Sequence, residues 1–316
     1  MPVSDLIRQH LAGLRALLVL TVITGLAYPA LVWVAGQLPG LHDKSHGSIV
    51  EADGRVVGSS LLGQSFTDAN GDPITWYFQS RPSAAGDGYD GLASGGSNLG
   101  PENIVDTPAD PALLSTGSDA ESAGFEPSLL TQVCTRSREI GLREGVDGSR
   151  PFCTPSGVGA VLSVLGPQTA DGVVTPARVV SVNEPCPADP AETPAPVFLA
   201  EYQGIRVECA RYGEDYAAGR IVLIAGNAPA EPAVPADAVT SGGSGLDPHI
   251  SPAYAEIQVD RVAAARGIDP AAVRAVVAAH STGRELGFAG EPRVHVLELN
   301  LDLDRRYPVS GTASGD

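Results

Sequence analysis

The sequence is poor in positive charge, and lysine is almost absent from it. Its 316 residues include 20 lysine and arginine residues against 37 acidic ones, a net charge of −17. Because binding to nucleic-acid phosphates requires a basic surface, this balance argues against a nucleic-acid partner. The single lysine is Lys44, so the glycine-rich passage 84–101 cannot contain a Walker loop, which ends in Gly-Lys-Ser/Thr. We interpret that passage as an ordered loop whose glycines permit positive φ.

Aromatic residues and catalytic motifs are also scarce. Aromatic side chains make up 5% of the chain, while Gly (37) and Pro (26) are abundant, which favours long loops and a modest core. Ser241, Ser244 and Ser281 lie outside any Gly-x-Ser-x-Gly elbow of the hydrolase type. His249 and His280 each have a carboxylate nearby in the sequence, but such histidines are more often structural hydrogen-bonding groups. The residues predict no catalytic site.

One long hydrophobic run is present, and a second is lacking. Residues 16–38 are 23 residues without an ionisable acid or base, and about 20 apolar residues of helix cross the hydrocarbon core of a membrane. A secretory signal has an apolar core of only about 7–15 residues, and an uncharged run of this length is rare in a buried soluble helix. We therefore predict one uncleaved transmembrane helix in contact with membrane lipid. Trp33 is placed to anchor it at an interface, and Pro29 is predicted to bend it.

The charges that flank this run predict its orientation. Residues 1–15 carry Arg8, Arg15 and the terminal amine, whereas residues 39–53 carry only Lys44. By the positive-inside rule, the N-terminus lies in the cytoplasm and the rest of the chain lies outside the cell membrane.

Four cysteines in the middle of the chain agree with that orientation. Cys134, Cys153, Cys186 and Cys209 are an even number, which in an oxidising compartment favours two disulfides with three alternative pairings. The gaps of 19, 33 and 23 residues, with no histidine between the cysteines, are not typical of zinc ligands. We predict disulfides and no metal site.

The remaining patterns predict an α+β fold. Asp53-Gly54 favours a hairpin between short strands, and the apolar run 74–78 favours a further strand after a turn. Residues 128–144 repeat apolar side chains at helical intervals, with Ser128 as the cap. Short β-favouring runs separated by turns follow, at 158–165, 177–182, 197–207 and 220–224.

Two helices and one strand are predicted in the last third. Ser251-Pro252 begins the first helix, which Gly267 ends. Asp269-Pro270 begins the second, which Gly283 ends; its apolar face contains Val273, Val276, Val277 and His280. Residues 293–304 then alternate with period two, which predicts a strand with leucines on one face and acidic residues on the other.

A glycine-rich turn, Thr-Ser-Gly-Gly-Ser-Gly at 240–245, precedes the first of these helices. Free backbone N–H groups at such a helix start can hold an anion, so the turn is a candidate anion site. The signal is weak because the turn contains no lysine or arginine. From its residues alone, the chain is a single-span membrane protein with an outer α+β domain.

Two blocks of sequence resemble a known family. The first is Tyr-Phe-Gln-Ser-Arg-Pro-Ser-Ala-Ala at 77–85, with Gly-Tyr-Asp at 88–90 and Gly-Ser-Asn-Leu-Gly-Pro at 96–101. The second is Ser-Gly-Leu-Asp-Pro-His-Ile-Ser-Pro at 244–252, followed by His-Ser-Thr-Gly-Arg-Glu-Leu-Gly at 280–287, Gly-Glu-Pro-Arg-Val at 290–294 and Val-Leu-Glu-Leu-Asn-Leu at 296–301. With the N-terminal span, they resemble the C subunit of the bacterial Kdp potassium-transporting ATPase over residues 10–105 and 234–304.

The resemblance implies an accessory, non-catalytic subunit. In that family a channel-like A subunit carries K⁺, a P-type ATPase B subunit hydrolyses ATP through a phospho-aspartate, and a small F peptide accompanies them. The C subunit is described as an assembly factor or catalytic chaperone that raises the affinity of the B subunit for ATP. This chain has no Asp-Lys-Thr-Gly phosphorylation motif, which agrees with ATP hydrolysis by a different subunit. ATP is then a cofactor by family attribution only, and K⁺ is the ion that the complex transports.

The matching motifs supply candidate site residues. The turn residues Ser244, Gly245, Asp247 and His249 are candidates for binding a ligand. Because ATP is cytoplasmic, the predicted topology places this turn on the opposite side of the membrane from ATP, and the outer domain is expected to lie near the K⁺ entrance of the A subunit. Candidate subunit contacts are Tyr28, Trp33, Arg81, Asn98, His280 and Arg284.

The middle of the chain departs from the family pattern, in which we expect little more than a helix and a short linker. We interpret the cysteine-bearing β segment, 146–227, as an added module, and an alternative function is a membrane-anchored binding or envelope-interaction module built around it. The predicted parts are a cytoplasmic N-terminus (1–15), a transmembrane helix (16–38), the first half of an extracytoplasmic core domain (39–106), an insertion (107–233), the second half of the core (234–304) and a C-terminal tail (305–316).

Overall fold

The structure of the protein, a computed structural model, describes residues 3–187 and 196–309. The chain divides into two compact units, Met1–Leu62 and Gly63–Asp316, and each is described by itself. The predicted C-terminal tail begins inside the last helix, which ends at Arg306, and its residues from 310 onward lie outside the described residues.

The first unit is built on a helix that is long and apolar enough to cross a membrane. It comprises α1 (Val3–Val22), a π-helical turn (Ile23–Ala27) and α2 (Tyr28–Gly36). Together these make 34 residues, and within this unit the most apolar window of the helix is exposed. The predicted apolar helix is confirmed, and it begins earlier than the uncharged run.

Pro29 explains the π-helical turn. Proline has no N–H, and its ring crowds the carbonyl four residues earlier, which is that of Gly25. The helix widens to a π-turn immediately before this point and returns to α-helix at Tyr28. A π-turn shifts the carbonyls out of register, so the helix accommodates Pro29 without ending.

A short helix and a hairpin complete this unit. α3 (His42–Ser45) precedes β1 (Ile49–Ala52) and β2 (Arg55–Ser59), which pair antiparallel. Asp53 and Gly54 form the turn with φ of 51° and 74°. These are the two positive angles that a type I′ hairpin turn requires, so the predicted hairpin is confirmed.

Helices from both halves of the chain form the core of the second unit. After the short helix α4 (Pro111–Ser115), which buries none of its residues, the core helices are α5 (Leu129–Glu144), α6 (Ala236–Val239), α7 (Pro252–Arg266), α8 (Pro270–Ala279) and α9 (Val296–Arg306). Phe78, Tyr254 and Leu299 are among the largest fully buried side chains. Ile140 of α5 belongs to the same cluster, so this helix is part of the main core.

Helix caps explain where the long helices begin and end. The side chains of Ser128, Ser251 and Asp269 accept hydrogen bonds from backbone N–H groups of α5, α7 and α8. Gly145 and Gly267 end α5 and α7 in the left-handed conformation, with φ of 69° and 65°. The helices predicted at 128–144 and from Ser251-Pro252 to Gly267 are confirmed.

The end predicted for the next helix, at Gly283, is wrong. α8 stops at Ala279, and Ser281–Thr282 form β9 instead. β9 pairs with β10 (Arg293–His295), whose other neighbour is β8 (His249–Ile250). Because Ser281 and Thr282 pair with β10, the helix ends before Gly283.

The strand predicted at 293–304 is wrong beyond His295. Residues Val296–Arg306 form α9, and the His295 side chain accepts a hydrogen bond from the backbone as its cap. The leucines do alternate, but the same sequence also repeats at helical spacing. The buried set follows the helical repeat and consists of Val296, Leu297, Leu299, Asn300 and Leu303.

The strand predicted at 74–78 is not formed. Phe78 is fully buried, and its N–H and C=O bond to the side chain of Asn300, at 2.9 and 3.0 Å. The N–H and C=O of Gln79 bond in the same way to the side chain of Gln258, at 2.7 and 3.2 Å. Each amide side chain offers one acceptor and a donor, as the backbone of a neighbouring strand would. Two buried side chains thus replace the expected strand partner.

A five-stranded sheet lies between the two halves of the core sequence. Its strands are β3 (Val161–Leu165), β4 (Arg178–Pro185), β5 (Glu201–Tyr202), β6 (Ile205–Ala210) and β7 (Arg220–Leu223). They are ordered β5-β6-β4-β3-β7, with β4 and β6 parallel and the other neighbours antiparallel. The sheet has its own small cluster of buried Leu and Val side chains. The predicted β-rich character of this region is confirmed.

The structure pairs all four cysteines. Cys134 of α5 is bonded to Cys153, and Cys186 is bonded to Cys209 of β6. The first disulfide joins a main-core helix to the residues that lead into the sheet. The second lies beside the parallel pair of strands and ties the end of β4 to β6.

Replacing Asn300 with alanine removes both partners of the Phe78 backbone. Each buried backbone group left unsatisfied costs about 1–3 kcal/mol, so Asn300→Ala should lower the free energy of unfolding by roughly 2–5 kcal/mol. Denaturant unfolding of the purified protein in detergent micelles measures this. Asn98→Ala, at an exposed position, is the matched control and should change the free energy by less than about 0.5 kcal/mol. Equal stability of the two variants would contradict the role of Asn300.

Candidate functional site

The two sequence blocks meet where the glycine-rich loop contacts the turn at 240–245. The Ser83 hydroxyl donates to the Gly245 carbonyl at 2.6 Å. The Gly95 N–H and the Ser94 hydroxyl both donate to the Ser244 carbonyl, at 3.0 and 3.1 Å. The loop is therefore held on the turn by hydrogen bonds to successive carbonyls.

Only glycine fits at the centre of this contact. Gly245 has φ of 66°, and a Cβ atom there would lie 2.6 Å from the Gly95 carbonyl oxygen. A Cβ atom on Gly96 would lie 3.0 Å from the Gly243 carbonyl oxygen. At Gly245 the two backbones thus approach more closely than a side chain allows, and at Gly96 they leave only a tight space for one.

Three of the predicted site residues form one charged cluster beside the contact. Arg81 Nη1 lies 3.2 Å from Asp247 Oδ2, and His249 Nδ1 lies 3.0 Å from Asp247 Oδ1. Arg81 also donates from Nε and Nη2 to the Thr240 carbonyl. The guanidinium group of Arg81 therefore ties the first block to both ends of the turn.

Asp247 stays ionised in this cluster. Burial acts to raise the pKa of its carboxyl group, but hydrogen bonds from the side chain and N–H of His249, together with the charges of His249 and Arg81, outweigh it and lower the pKa. Because the pKa is lower in the folded protein than in the unfolded chain, the cluster contributes stability at neutral pH. That contribution is lost as the pH falls through the folded pKa of Asp247.

Tyr89 fixes the other side of the Arg81 segment. Its hydroxyl donates to the Arg81 carbonyl at 2.7 Å, and its N–H donates to the Ser83 hydroxyl at 2.8 Å. Burial raises the pKa of Tyr89 to about 12. The hydroxyl is therefore a neutral donor throughout the physiological pH range.

The N-terminus of α7 already holds a carboxylate of the chain itself. Asp237 accepts hydrogen bonds from the N–H and hydroxyl of Ser251, at 2.7 and 2.8 Å. An external anion at this helix end would have to compete with Asp237. The ligand-binding role of Ser244, Gly245, Asp247 and His249 therefore stays a prediction, and their observed contacts join parts of the chain to one another.

A cavity of about 310 Å³ opens beside the charged cluster. Segment 79–89 forms one wall and α5 forms another. Three arginines line it, namely Arg81 from the first block and Arg136 and Arg143 from α5. Its apolar lining includes Phe66 and Ile140.

Two further predicted contact residues lie away from this cluster, near β9 and β10. His280 Nε2 lies 3.0 Å from Asp302 Oδ2 of α9. Arg284 pairs with Glu291 at 2.8 Å across the connection between β9 and β10. Both side chains therefore have intramolecular partners.

The last three predicted contact residues are exposed. Asn98 lies on the glycine-rich loop of the second unit. Tyr28 and Trp33 lie on α2 of the first unit and are 64% and 67% exposed. Their exposure leaves these side chains available to lipid or to another protein.

Sequence reasoning does not identify three residues whose hydrogen bonds hold the first block and the start of α7 in place. Gln258 and Asn300 are 0% and 1% exposed, and Asp237 accepts hydrogen bonds from Ser251, the cap of α7. A usable signal exists for the first two, since each is an amide at a core position of an otherwise apolar helix face. Burial of an amide requires specific hydrogen-bond partners, which here are the backbone groups of the first block.

The fold defines a class of protein: an exposed apolar N-terminal helix followed by an α+β unit that two separated sequence blocks build together. Residues 10–107 and 215–305 match the family model described as K+-transporting ATPase, c chain. The chain belongs to this family, as the motif blocks predict.

Relatives of nearly the same length agree. Each is a potassium-transporting ATPase KdpC subunit. That of Kineococcus radiotolerans is 33% identical over 305 residues, 96% of this chain and 97% of the relative. That of Gemmatimonas aurantiaca is 35% identical over 301 residues, 94% of this chain and 92% of the relative. That of Mycobacterium tuberculosis is 34% identical over 298 residues, 94% of this chain and 98% of the relative.

These alignments correct one expectation about the middle of the chain. The family model leaves residues 108–214 unmatched, but the alignments cover at least 94% of this chain and 92% of each relative. The expectation that relatives carry only a helix and a short linker here is therefore wrong for these three. A middle segment of similar length is shared with them.

Gly245→Ala should disrupt the contact between the two blocks. A residue forced into an unfavourable conformation costs about 1–3 kcal/mol, and the clash with Gly95 adds to this, so we expect a loss of at least about 2 kcal/mol in unfolding free energy. Gly243→Ala is the matched control, since a Cβ atom there meets nothing within 4 Å. Denaturant unfolding compares the two, and proteinase K digestion with mass spectrometry detects release of loop 84–101. Similar behaviour of both variants would contradict the close approach.

Proposed function

We propose that this protein is an accessory, non-catalytic subunit of a high-affinity, ATP-driven potassium uptake complex. The observation that carries the proposal is its near full-length similarity to relatives named as potassium-transporting ATPase KdpC subunits. The structure adds support, because the blocks that carry the family motifs are docked on one another through Arg81, Asp247 and Gly245. The motif residues thus have a shared architectural role.

The proposed partners are the A, B and F subunits of such a complex. The A subunit conducts K⁺ and the B subunit hydrolyses ATP, while this chain stabilises the assembly and acts as a catalytic chaperone for ATP binding by the B subunit. At the start of α7 an anionic nucleotide would have to compete with the carboxylate of Asp237, which accepts a hydrogen bond from the Ser251 N–H. This favours a nucleotide site on the B subunit.

We further propose that the helix Val3–Gly36 anchors the protein in the cell membrane by a single pass, with the N-terminus in the cytoplasm and the second unit outside. The length and apolarity of the helix support the anchor. The flanking charges support the orientation, as do the disulfides Cys134–Cys153 and Cys186–Cys209, which persist in oxidising compartments. Tyr28 and Trp33 then face lipid or the helices of a partner subunit.

An affinity-tagged copy of the protein should copurify with the A and B subunits from cells that express the whole complex. A matched control replaces residues 16–38 with an unrelated single-span sequence of equal length, which keeps the anchor and removes its specific surface. Recovery of the A and B subunits should fall in that control, because a helix packed against transporter helices contributes contacts that a generic span lacks. Isolation of the unaltered chain as a lone monomer from these cells would contradict the proposal.

Deletion of the middle sheet distinguishes the subunit role from the alternative, an anchored envelope-interaction module. Val161 and Leu223 are opposite each other on β3 and β7, so an Asn-Gly turn can replace residues 162–222 and keep Cys134 bonded to Cys153. The deletion also removes Asn183, which accepts a hydrogen bond from the Asp106 N–H at 2.9 Å, so thermal unfolding must first show that the shortened chain folds. Retained copurification and K⁺-dependent growth favour the subunit role. Their loss, with loss of binding to cell-envelope material, favours the module.

Cysteine labelling tests the orientation. Leu92 is 99% exposed, and the native cysteines are paired. A membrane-impermeant maleimide should label Leu92→Cys in intact cells and label Ser4→Cys only after the cells are permeabilised. The opposite pattern would show that the second unit is cytoplasmic.

A further inference from the structure

The cavity between α5 and segment 79–89 differs in charge from the rest of this acidic chain. Its volume is about 310 Å³, which lies at the lower end of the range for small-ligand sites. Arg81, Arg136 and Arg143 line it, together with only two acidic residues, Asp87 and Glu139. Three arginines thus line one cavity of a chain whose net charge is −17.

The positive groups lie deeper than the negative ones. The side chains of Arg81 and Arg143 are only 20% and 25% exposed, whereas Asp87 and Glu139 are exposed residues. Water and salt screen the charges of exposed carboxylates much more than those of partly buried guanidinium groups. The interior of the cavity is therefore more positive than its rim.

Arg136 is a half-buried cation whose hydrogen bonds go to neutral groups. Its Nη1 donates to the Val239 carbonyl at 3.0 Å, and its Nη2 donates to Gln132 Oε1 at 3.2 Å. Burial lowers the pKa of Arg136, and the exposed Glu139 offsets that in part. Among the described residues, the ion pairs within 4.0 Å include none to Arg136. A partly desolvated charge without an ionic partner is costly.

Arg143 adds a second charge that is only partly compensated. Its Nε lies 2.7 Å from Glu144 Oε1, but Glu144 Oε2 lies 2.8 Å from Arg261 Nε. The Glu144 side chain is fully buried, so one carboxylate serves two guanidinium groups and the group of three keeps one net positive charge. Arg81, in contrast, is balanced by Asp247.

We propose that this cavity binds a phosphate group, either as free phosphate or as part of a larger ligand, through Arg136 and Arg143. Guanidinium groups are suited to this role because their N–H groups match phosphate oxygens in pairs, and a tetrahedral anion can accept from more than one arginine at once. A bound phosphate supplies the counter-charge that these two arginines lack. Phe66 and Ile140 offer apolar contact to the remainder of a larger ligand. This phosphate site does not include the ligand-binding candidates Ser244, Gly245, Asp247 and His249. It also does not depend on the proposed subunit role.

Calorimetric titration of the full chain in neutral detergent with inorganic phosphate, at constant ionic strength, tests the proposal. Arg136→Gln should weaken phosphate binding by about tenfold or more, because the variant loses the charge-assisted hydrogen bonds that the guanidinium group makes to phosphate. Arg138→Gln is the matched control, since Arg138 lies on the same helix, is exposed and does not line the cavity. It should leave the affinity within about twofold of the unaltered chain.

A second variant keeps the test informative if Arg136→Gln destabilises the fold. Ser65 is exposed at the edge of the cavity, so Ser65→Trp fills space without changing any charge. Loss of phosphate binding in Ser65→Trp, with an unchanged melting temperature, assigns the binding to this cavity.

The same titration with phosphatidylglycerol micelles distinguishes the two sources of phosphate. Saturable binding of free phosphate that Arg136→Gln weakens supports a soluble ligand, and binding of the micelles alone with the same sensitivity supports a lipid headgroup. Absence of saturable binding of both probes overturns the proposal. Equal weakening in Arg136→Gln and Arg138→Gln also overturns it, because that result reflects general surface charge.

Discussion

The second unit depends on two buried amide side chains that take the place of a β-strand. Phe78 and Gln79 carry backbone groups into the core, where unbonded N–H and C=O groups are costly. Asn300 of α9 and Gln258 of α7 each bond both groups of one residue. Since a shift of one residue would mispair both amides, this arrangement fixes the first sequence block, α7 and α9 in a single register.

The features of the site follow from that register. It places Arg81 where its guanidinium group reaches Asp247 and the Thr240 carbonyl, and it leads the glycine-rich loop onto the turn at Gly245. The same segment then forms one wall of the arginine-lined cavity, with α5 opposite. Residues far apart in the sequence thus act as one structural unit, which explains why the family motifs occur as two separated blocks.

Sequence reasoning succeeds here where local chemistry decides the structure. The capped helices, the Asp53-Gly54 hairpin and the uncharged N-terminal run are set by residues within a few positions of one another. It fails at 74–78, which is an apolar run, and in α9, where the leucines alternate with period two. Both patterns are compatible with a strand, and only tertiary contacts select the observed structure. The family motifs identify Arg81, Asp247 and His249 as candidate site residues, whereas their spacing in the sequence does not. Neither the motifs nor the spacing identifies Arg136 and Arg143, because the cavity that they line exists only once α5 packs against the first block.

The distance along the chain between Phe78 and Asn300 has a consequence for biosynthesis. Their hydrogen bonds join residues 222 positions apart. At a synthesis rate of about 5–20 residues per second, Phe78 waits roughly 10–45 s for its partner to be made. During that interval an aromatic side chain and unpaired backbone groups stay exposed, and the core cannot close before the final helix arrives. An incomplete chain therefore remains distinguishable from a finished one by its exposed apolar surface, the feature on which chaperones and proteases act.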